Sequence, residues 1–234
     1  MKNKIILASN SPRRRELLSQ VGIEFDVVPS GAEEKITSSV PSDVVMELSF
    51  QKALDVLKKV STVSDIRIEN NSEKRKSQTN ELVNSNLSQN NCDNFGENFG
   101  ANDERIVVIG ADTVVSYKQK ILGKPKNIAD ARRMITALSG GEHEVYTGVT
   151  IMWLEDGALK YETFFDETIV LVYNMSEDEI EDYISTDEPY DKAGSYGIQG
   201  LFAAYVQGIK GDYNNVVGLP VAKVYHILKK YGFV

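Results

Sequence analysis

Residues 4–20 read KIILASNSPRRRELLSQ. The apolar run Lys4–Ser9 has the character of a strand. Ser11 and Pro12 then supply an N-cap and a proline at the first helical position. The helix runs to about Gln20, and Gly22 suits its C-terminal cap. A strand that passes straight into a helix is the building unit of α/β folds, and the alternation continues along the chain. Glu24–Pro29 reads as the next strand, and Ser42 as the cap of a long helix to about Val60. Arg105–Ile109 reads as a buried strand that leads through Gly110-Ala111-Asp112-Thr113 into a further strand, Val114–Tyr117. Asn127 opens a helix to Leu138, ended by Gly140-Gly141. Val145–Leu154 and Tyr161–Tyr173 read as long adjacent strands that pair. Ser176-Glu177-Asp178-Glu179 is a capping box for a helix to about Ile184. Leu201–Gln207 reads as a strand, and Pro220 opens a last helix with Val221, Val224, Tyr225 and Leu228 on one face. The pattern predicts an α/β fold with a mixed sheet.

Composition narrows the class. The 234 residues are 41% hydrophobic and 26% charged, as in ordinary globular chains. No apolar run reaches the roughly 18–20 residues that span a bilayer, so no membrane partner is expected. The apolar stretch at the N-terminus meets Arg13 too early to be a signal-peptide core. A formal charge of −8 opposes nucleic-acid binding by the whole molecule. One cysteine, Cys92, and two histidines exclude an internal disulfide framework and a multi-cysteine zinc site, so any metal would be a hard ion on carboxylates. A reducing, cytoplasmic compartment is the expectation. Residues 69–104 are rich in Asn and Ser and read as a mostly disordered insertion in a single domain spanning 1–234. A short helix near Glu81–Leu87 is the alternative for that segment.

Five groups of residues carry chemistry. Ser9-Asn10-Ser11-Pro12-Arg13-Arg14-Arg15 places three arginines at a helix start, where the dipole disfavours cations. A bound anion would resolve that conflict, because helix N-termini and arginine forks both suit phosphate. A solvated basic turn, or pairing with Glu16 and nearby acids, would resolve it equally. Lys52 falls in the middle of the apolar arc formed by Val44, Val45, Leu48, Ala53, Val56 and Val60, so it needs an anionic partner or a route to water. Asp112 ends an apolar strand, which is where ligand crevices of α/β sheets lie. It could hold Mg²⁺ or Mn²⁺ or orient a water, or serve as a plain turn acid. Glu33-Glu34 could add a metal ligand or be solvated surface. In Gly123-Lys124-Pro125 the proline restricts Lys124 to an extended conformation that suits a phosphate, although an ordinary turn lysine reads the same. Gln199 lies in a glycine-rich run, Gly194–Gly200, and its amide can donate and accept at a base edge. Asp212–Pro220 leads into the last helix and reads as a bare loop, with closure of the same cleft as the glycine-rich run as the alternative. His143 and His226 have no arranged partners.

Taken in order, LASNSPRRRELL, the Glu-Glu loop, QKA, VIGADTVV, ILGKP, LSGGEHEVYTGV, EPYDKAGSYGIQG and GDYNNVVGLP resemble the Maf family of nucleotide pyrophosphatases. The resemblance covers the chain outside residues 69–104. It implies an elongated mixed sheet with two lobes around a central cleft, and a homodimer. It implies hydrolysis of a nucleoside triphosphate to the monophosphate and pyrophosphate with a divalent cation, Mg²⁺ or Mn²⁺. Position by position, Asp112 corresponds to the proton acceptor and metal ligand, and Lys52 and Lys124 to phosphate-binding lysines. Ser9, Arg13 and Arg14 correspond to the phosphate-binding first loop, and Glu34, rather than Glu33, to an acid near the metal. Arg13, Thr113 and Gln199 resemble the specificity positions of the branch that hydrolyses dTTP and UTP, with modified pyrimidine nucleotides as a further class in a housecleaning role. Two rival classes remain at this point: a nucleotide-binding regulator of cell division without turnover, and a nucleic-acid binder that uses the arginines.

Overall fold

The computed structural model describes residues 2–61, 67–68 and 104–234. Cys92 and the Asn- and Ser-rich segment up to residue 103 lie outside them. Eight strands form one mixed sheet in the order β2-β1-β4-β6-β7-β3, with β5 beside β4 and β8 beside β7. The strands are β1 (Lys2–Leu7), β2 (Asp26–Val27), β3 (Arg67–Ile68), β4 (Glu104–Tyr117), β5 (Lys120–Leu122), β6 (Glu142–Glu155), β7 (Ala158–Val172) and β8 (Val206–Lys210). The spine is β4, β6 and β7, each of 14 or 15 residues and paired antiparallel. β1 joins β4 in parallel, as the alternation of strand and helix requires.

The helices are α1 (Pro12–Gln20), α2 (Pro41–Val60), α3 (Ile128–Leu138), α4 (Glu177–Ile184), α5 (Tyr213–Val217) and α6 (Val221–Lys230). Residue alternation along β4 sorts them into layers. Val108 packs with Phe50, Ala53 and Leu57 of α2, and Val114 with Val44, Val45 and Leu48. Val107, Ile109, Ala111 and Val115 face the main core, which also holds Leu17 and Leu18 of α1, Met134 of α3, Ile180 of α4 and Val224 of α6. α2 thus covers one face and the other long helices the opposite face. Among the described residues no helix is long and apolar enough to cross a membrane.

Several expectations change. β4 is one continuous strand through Gly110-Ala111-Asp112-Thr113, so Asp112 lies in mid-strand and not at a tip. The glycine there serves a close contact instead of a turn. A Cβ on Gly110 would sit 2.3 Å from the Ser49 carbonyl oxygen, and one on Gly148 would sit 2.2 Å from that of Val45. These two positions let the α2 backbone rest directly on the sheet. The N-cap of α2 is Val40, not Ser42, because Pro41 takes the first helical position. The second strand shrinks to Asp26–Val27, since β1, its ladder partner among the described residues, ends at Leu7. Leu201–Tyr205 forms a 3-10 turn ahead of β8. The caps at Asn127 and Ser176 form as expected, the second as a complete capping box.

Gly110→Ala should therefore destabilise the fold by about 1–3 kcal/mol through overpacking against backbone, which yields less readily than side chains. Urea unfolding of wild type and variant would measure it, and an unchanged midpoint would show that α2 does not bear on β4 there.

Candidate active site

The edge of β4 that faces β1 is the frame of the site. β1 pairs with it up to Leu7 opposite Ile109, and the Ala8 N–H caps this ladder on the Ile109 carbonyl at 2.8 Å. β5 takes up the same edge only at Val115. Between them, among the described residues, β4 crosses a gap, and Asp112 and Thr113 are partly exposed there while Ile109, Ala111, Val114 and Val115 stay buried. Asp112 and Thr113 alternate, so they face opposite sides of the sheet.

On the α2 side, Lys52 projects from the helix onto Asp112 and forms a close ion pair with its Oδ1. The same ammonium lies 3.0 Å from Glu34 Oε1. The side chains of Lys52 and Asp112 are only 19% and 15% exposed, against 51% for Glu34. A lysine that secluded needs its partners, and two carboxylates supply them. Glu33 is exposed and has no ion pair among the described residues, so the structure brings Glu34 and not Glu33 to the cluster. The loop that carries Glu34 is fastened to α2 by side chains at helical spacing. Glu47 accepts from the Thr37 N–H at 2.9 Å and from its hydroxyl. Gln51 accepts from the Lys35 N–H at 2.9 Å and donates to its carbonyl at 2.6 Å. Asp55 accepts from Ser30 Oγ and the Gly31 N–H, each at 2.9 Å. Glu47 and Gln51 were not singled out from sequence; only their i, i+4 spacing one turn apart hints at a shared task.

On the opposite side, Arg14 gathers three segments. Its Nε donates to the Gly218 carbonyl at 2.8 Å, one Nη to Ser9 Oγ at 3.1 Å and the other to Thr113 Oγ1 at 3.0 Å. Burial lowers the guanidinium below its ordinary value, Asp112 opposes that shift and Arg13 adds to it. The Asp112 contribution links the two sides electrostatically. Ser9 Oγ also accepts the Ser11 N–H at 3.2 Å, so both its lone pairs are taken and its proton is free to donate. Ser11 occupies the N-cap of α1 but makes no side-chain cap bond. Arg15 donates to the Asn10 carbonyl at 2.8 Å, and Arg13 lies 3.9 Å from Asp191. The arginines are therefore drawn to separate acceptors rather than to Glu16.

Two candidates remain, Lys124 and Gln199. Lys124 follows β5 by two residues, is exposed, and has no ion pair among the described residues. Its loop is tied to the glycine-rich run by the Gly194 N–H donating to the Gly123 carbonyl at 3.1 Å. Gln199 is exposed on that run, and among the described residues no hydrogen bond joins it to either cluster. The run itself is well anchored. Glu188 accepts the Leu201 N–H at 2.7 Å, and Tyr196 lies buried with its Oη 2.6 Å from His143 Nε2. Asp212–Pro220, read as a loop from sequence, holds the short helix α5, whose Asn215 is fully buried against β6 and β7.

The donor set bears on a metal. Among the described residues no group of three or more His, Cys, Asp or Glu could hold one. Asp112 and Glu34 nevertheless converge on a single cationic atom. Two carboxylates with the shell completed by substrate oxygens is the usual pattern for Mg²⁺ at phosphate sites. The residues fit such a site and not an all-protein cage.

A family model described as Maf-like protein matches residues 4–231. The chain belongs to the Maf family. Relatives within the Maf family cover nearly the whole chain. A protein of Agathobacter rectalis named dTTP/UTP pyrophosphatase is 49% identical over 231 residues, 98% of each chain. Proteins of the same name are 42% identical in Lachnoclostridium phytofermentans, over 98% of this chain and 95% of that one, and in Bacillus cereus, over 97% and 95%. The architecture agrees with the α/β fold and mixed sheet flanked by helices expected of a Maf protein.

The His143–Tyr196 contact gives a pH test. Burial pushes the His143 imidazole down to about 4 from 6.5, and its Nδ1 has no hydrogen-bond partner among the described residues. The unfolded chain takes up this proton near pH 6.5 and the folded one only near 4. The contribution of neutral His143 is thus fully present above pH 6.5 and is lost as pH falls toward 4, by up to about 3 kcal/mol. Urea midpoints from pH 7.5 to 4.5 should fall more steeply for wild type than for His143→Leu; parallel curves would refute the assignment.

Proposed function

We propose that the chain hydrolyses dTTP and UTP at the α–β phosphoanhydride, releasing the nucleoside monophosphate and pyrophosphate. The observation that carries this reading is Lys52 held between Asp112 and Glu34 beside a gap in the sheet, with the proton-donating Ser9 hydroxyl on the other side. A polyanion entering the gap would meet the Lys52 ammonium, the Ser9 hydroxyl and the two N–H groups of Arg14 left over from its three bonds. In this reading Lys124 and Arg13 are the further cations that such a ligand draws in.

In this reading a water attacks the α-phosphorus, the bond from that atom to the bridging oxygen breaks, and pyrophosphate leaves. Asp112 orients the water and accepts its proton. Lys52 moves from the carboxylates to the phosphate oxygens, and with Lys124 and Arg13 offsets the charge that grows on them. Asp112 and Glu34 would hold a divalent cation, Mg²⁺ or Mn²⁺, which when bound supplies charge stabilisation at the phosphates. Gln199, Thr113 and Arg13 select the pyrimidine base. The amide of Gln199 can meet both N3–H and O4 of uracil or thymine. The reading extends to one domain over 1–234 with 69–104 as an insertion, and to a homodimer in a reducing cytoplasm without nucleic-acid partners.

Asp112→Asn keeps the shape of the side chain and removes its charge. It should lower kcat for pyrophosphate release from dTTP on the order of 10²–10³-fold, with an unchanged circular dichroism spectrum. Near wild-type turnover in the variant would remove Asp112 from the reaction. Wild type that binds dTTP and releases no pyrophosphate would leave a nucleotide-binding regulator in its place.

A further inference from the structure

A buried chain of hydroxyl and amide groups runs away from the gap beneath Thr113, and its polarity is fixed by counting protons. Asn215 lies on α5, fully buried, with Nδ2 donating to the Val145 carbonyl at 3.0 Å and to Thr168 Oγ1 at 2.9 Å. Both protons of that amide nitrogen are therefore committed. Thr168 Oγ1 also accepts the Asp212 N–H at 3.0 Å and gives its one proton to the Asp212 carbonyl at 3.0 Å. The backbone carbonyl of Asn215 receives the proton of Thr147, another fully buried threonine, at 2.9 Å. Buried carbonyls seek a donor, and this hydroxyl supplies one.

Thr147 lies directly across from Thr113 in the β4–β6 ladder, their hydroxyl oxygens 2.9 Å apart. With its own proton on Asn215, Thr147 can only accept, so Thr113 must donate. Arg14 already donates into Thr113 Oγ1 at 3.0 Å. One lone pair of Thr113 remains, and no proton. Ser9, on the same guanidinium, is in the opposite state, with one proton and no lone pair. The gap is thus lined by one hydroxyl that can only donate and one that can only accept.

We propose that Thr147 and Asn215 are positioning residues that set Thr113 as a hydrogen-bond acceptor, so that the nucleotide group it meets is a donor and never a phosphate oxygen. The donors common to dTTP and UTP are the imide N3–H of the base and the 3′-hydroxyl of the sugar. The proposal rests on the nucleotide reading above and deepens it. It divides the site into a part that greets anions, at Ser9, and a part that greets N–H or O–H groups, at Thr113.

The test compares wild type, Thr147→Val and Thr147→Ser on dTTP, on 3-methylthymidine triphosphate, which lacks N3–H, and on 3′-deoxythymidine triphosphate. Thr147→Val frees the Thr113 proton while keeping the side-chain shape. It should lower kcat/KM for dTTP about tenfold, mostly through KM, and Thr147→Ser should restore it. The penalty should vanish on one analogue: the N3-methyl compound if Thr113 meets the base, the 3′-deoxy compound if it meets the sugar. An equal penalty on dTTP and both analogues, or none on dTTP, would overturn the proposal. If Thr147→Val does not fold, Thr113→Val on the same three nucleotides should give the same pattern. Kd values from calorimetry accompany the rates. A wild type that releases no pyrophosphate defeats the proposed reaction, and the Kd ratios still decide the role of Thr147.

Discussion

A secluded ammonium shared by two carboxylates is the interaction on which the site depends. Lys52 comes from α2, Asp112 from β4 and Glu34 from the loop before α2. No local rule brings these three together. They meet because Gly110 and Gly148 let α2 lie with its backbone against β4 and β6, and because Glu47, Gln51 and Asp55 bind the 30–37 loop to the same helix. Charges this poorly solvated are held in place by one another, and an entering polyanion would compete for the cation directly.

The second dependence is on the edge of β4. β1 stops before Asp112 and β5 starts after it, so side chains on the two faces of one strand can reach the same ligand through the opening. The two faces differ in kind. The α2 side carries a compact ion cluster. The other side carries Arg14, whose guanidinium bonds join β4, the loop after β1 and the turn that ends α5. That arrangement joins segments as far apart in sequence as residues 14 and 218 around the opening.

Much of this was legible in the residues, for physical reasons that differ from case to case. Lys52 stood out as a charge in an apolar helical arc, and burial next to Asp112 is what such a charge requires. The arginines of α1 stood out against the helix dipole, and their bonds to Gly218, Thr113, Ser9 and Asn10 show how the conflict is met within the chain. Asp112 reads from sequence as an acid at the end of a strand, and the structure sets it in mid-strand. Gly110 has the look of turn chemistry, and only the arrival of α2 makes a glycine necessary within a strand. Thr147 and Asn215 lie in two of the stretches that carry the resemblance, but neither residue is singled out within them. A strand threonine and a loop asparagine are ordinary, and their roles exist only through cross-strand register and the packing of α5.

The most direct measurement is a crystal structure of the Asp112→Asn protein with dTTP and Mn²⁺, the metal located by its anomalous scattering. The account predicts the triphosphate across the gap in β4, with phosphate oxygens on both Lys52 Nζ and Ser9 Oγ and the metal beside Glu34. A triphosphate bound away from that gap, or touching only one of those two side chains, would contradict it.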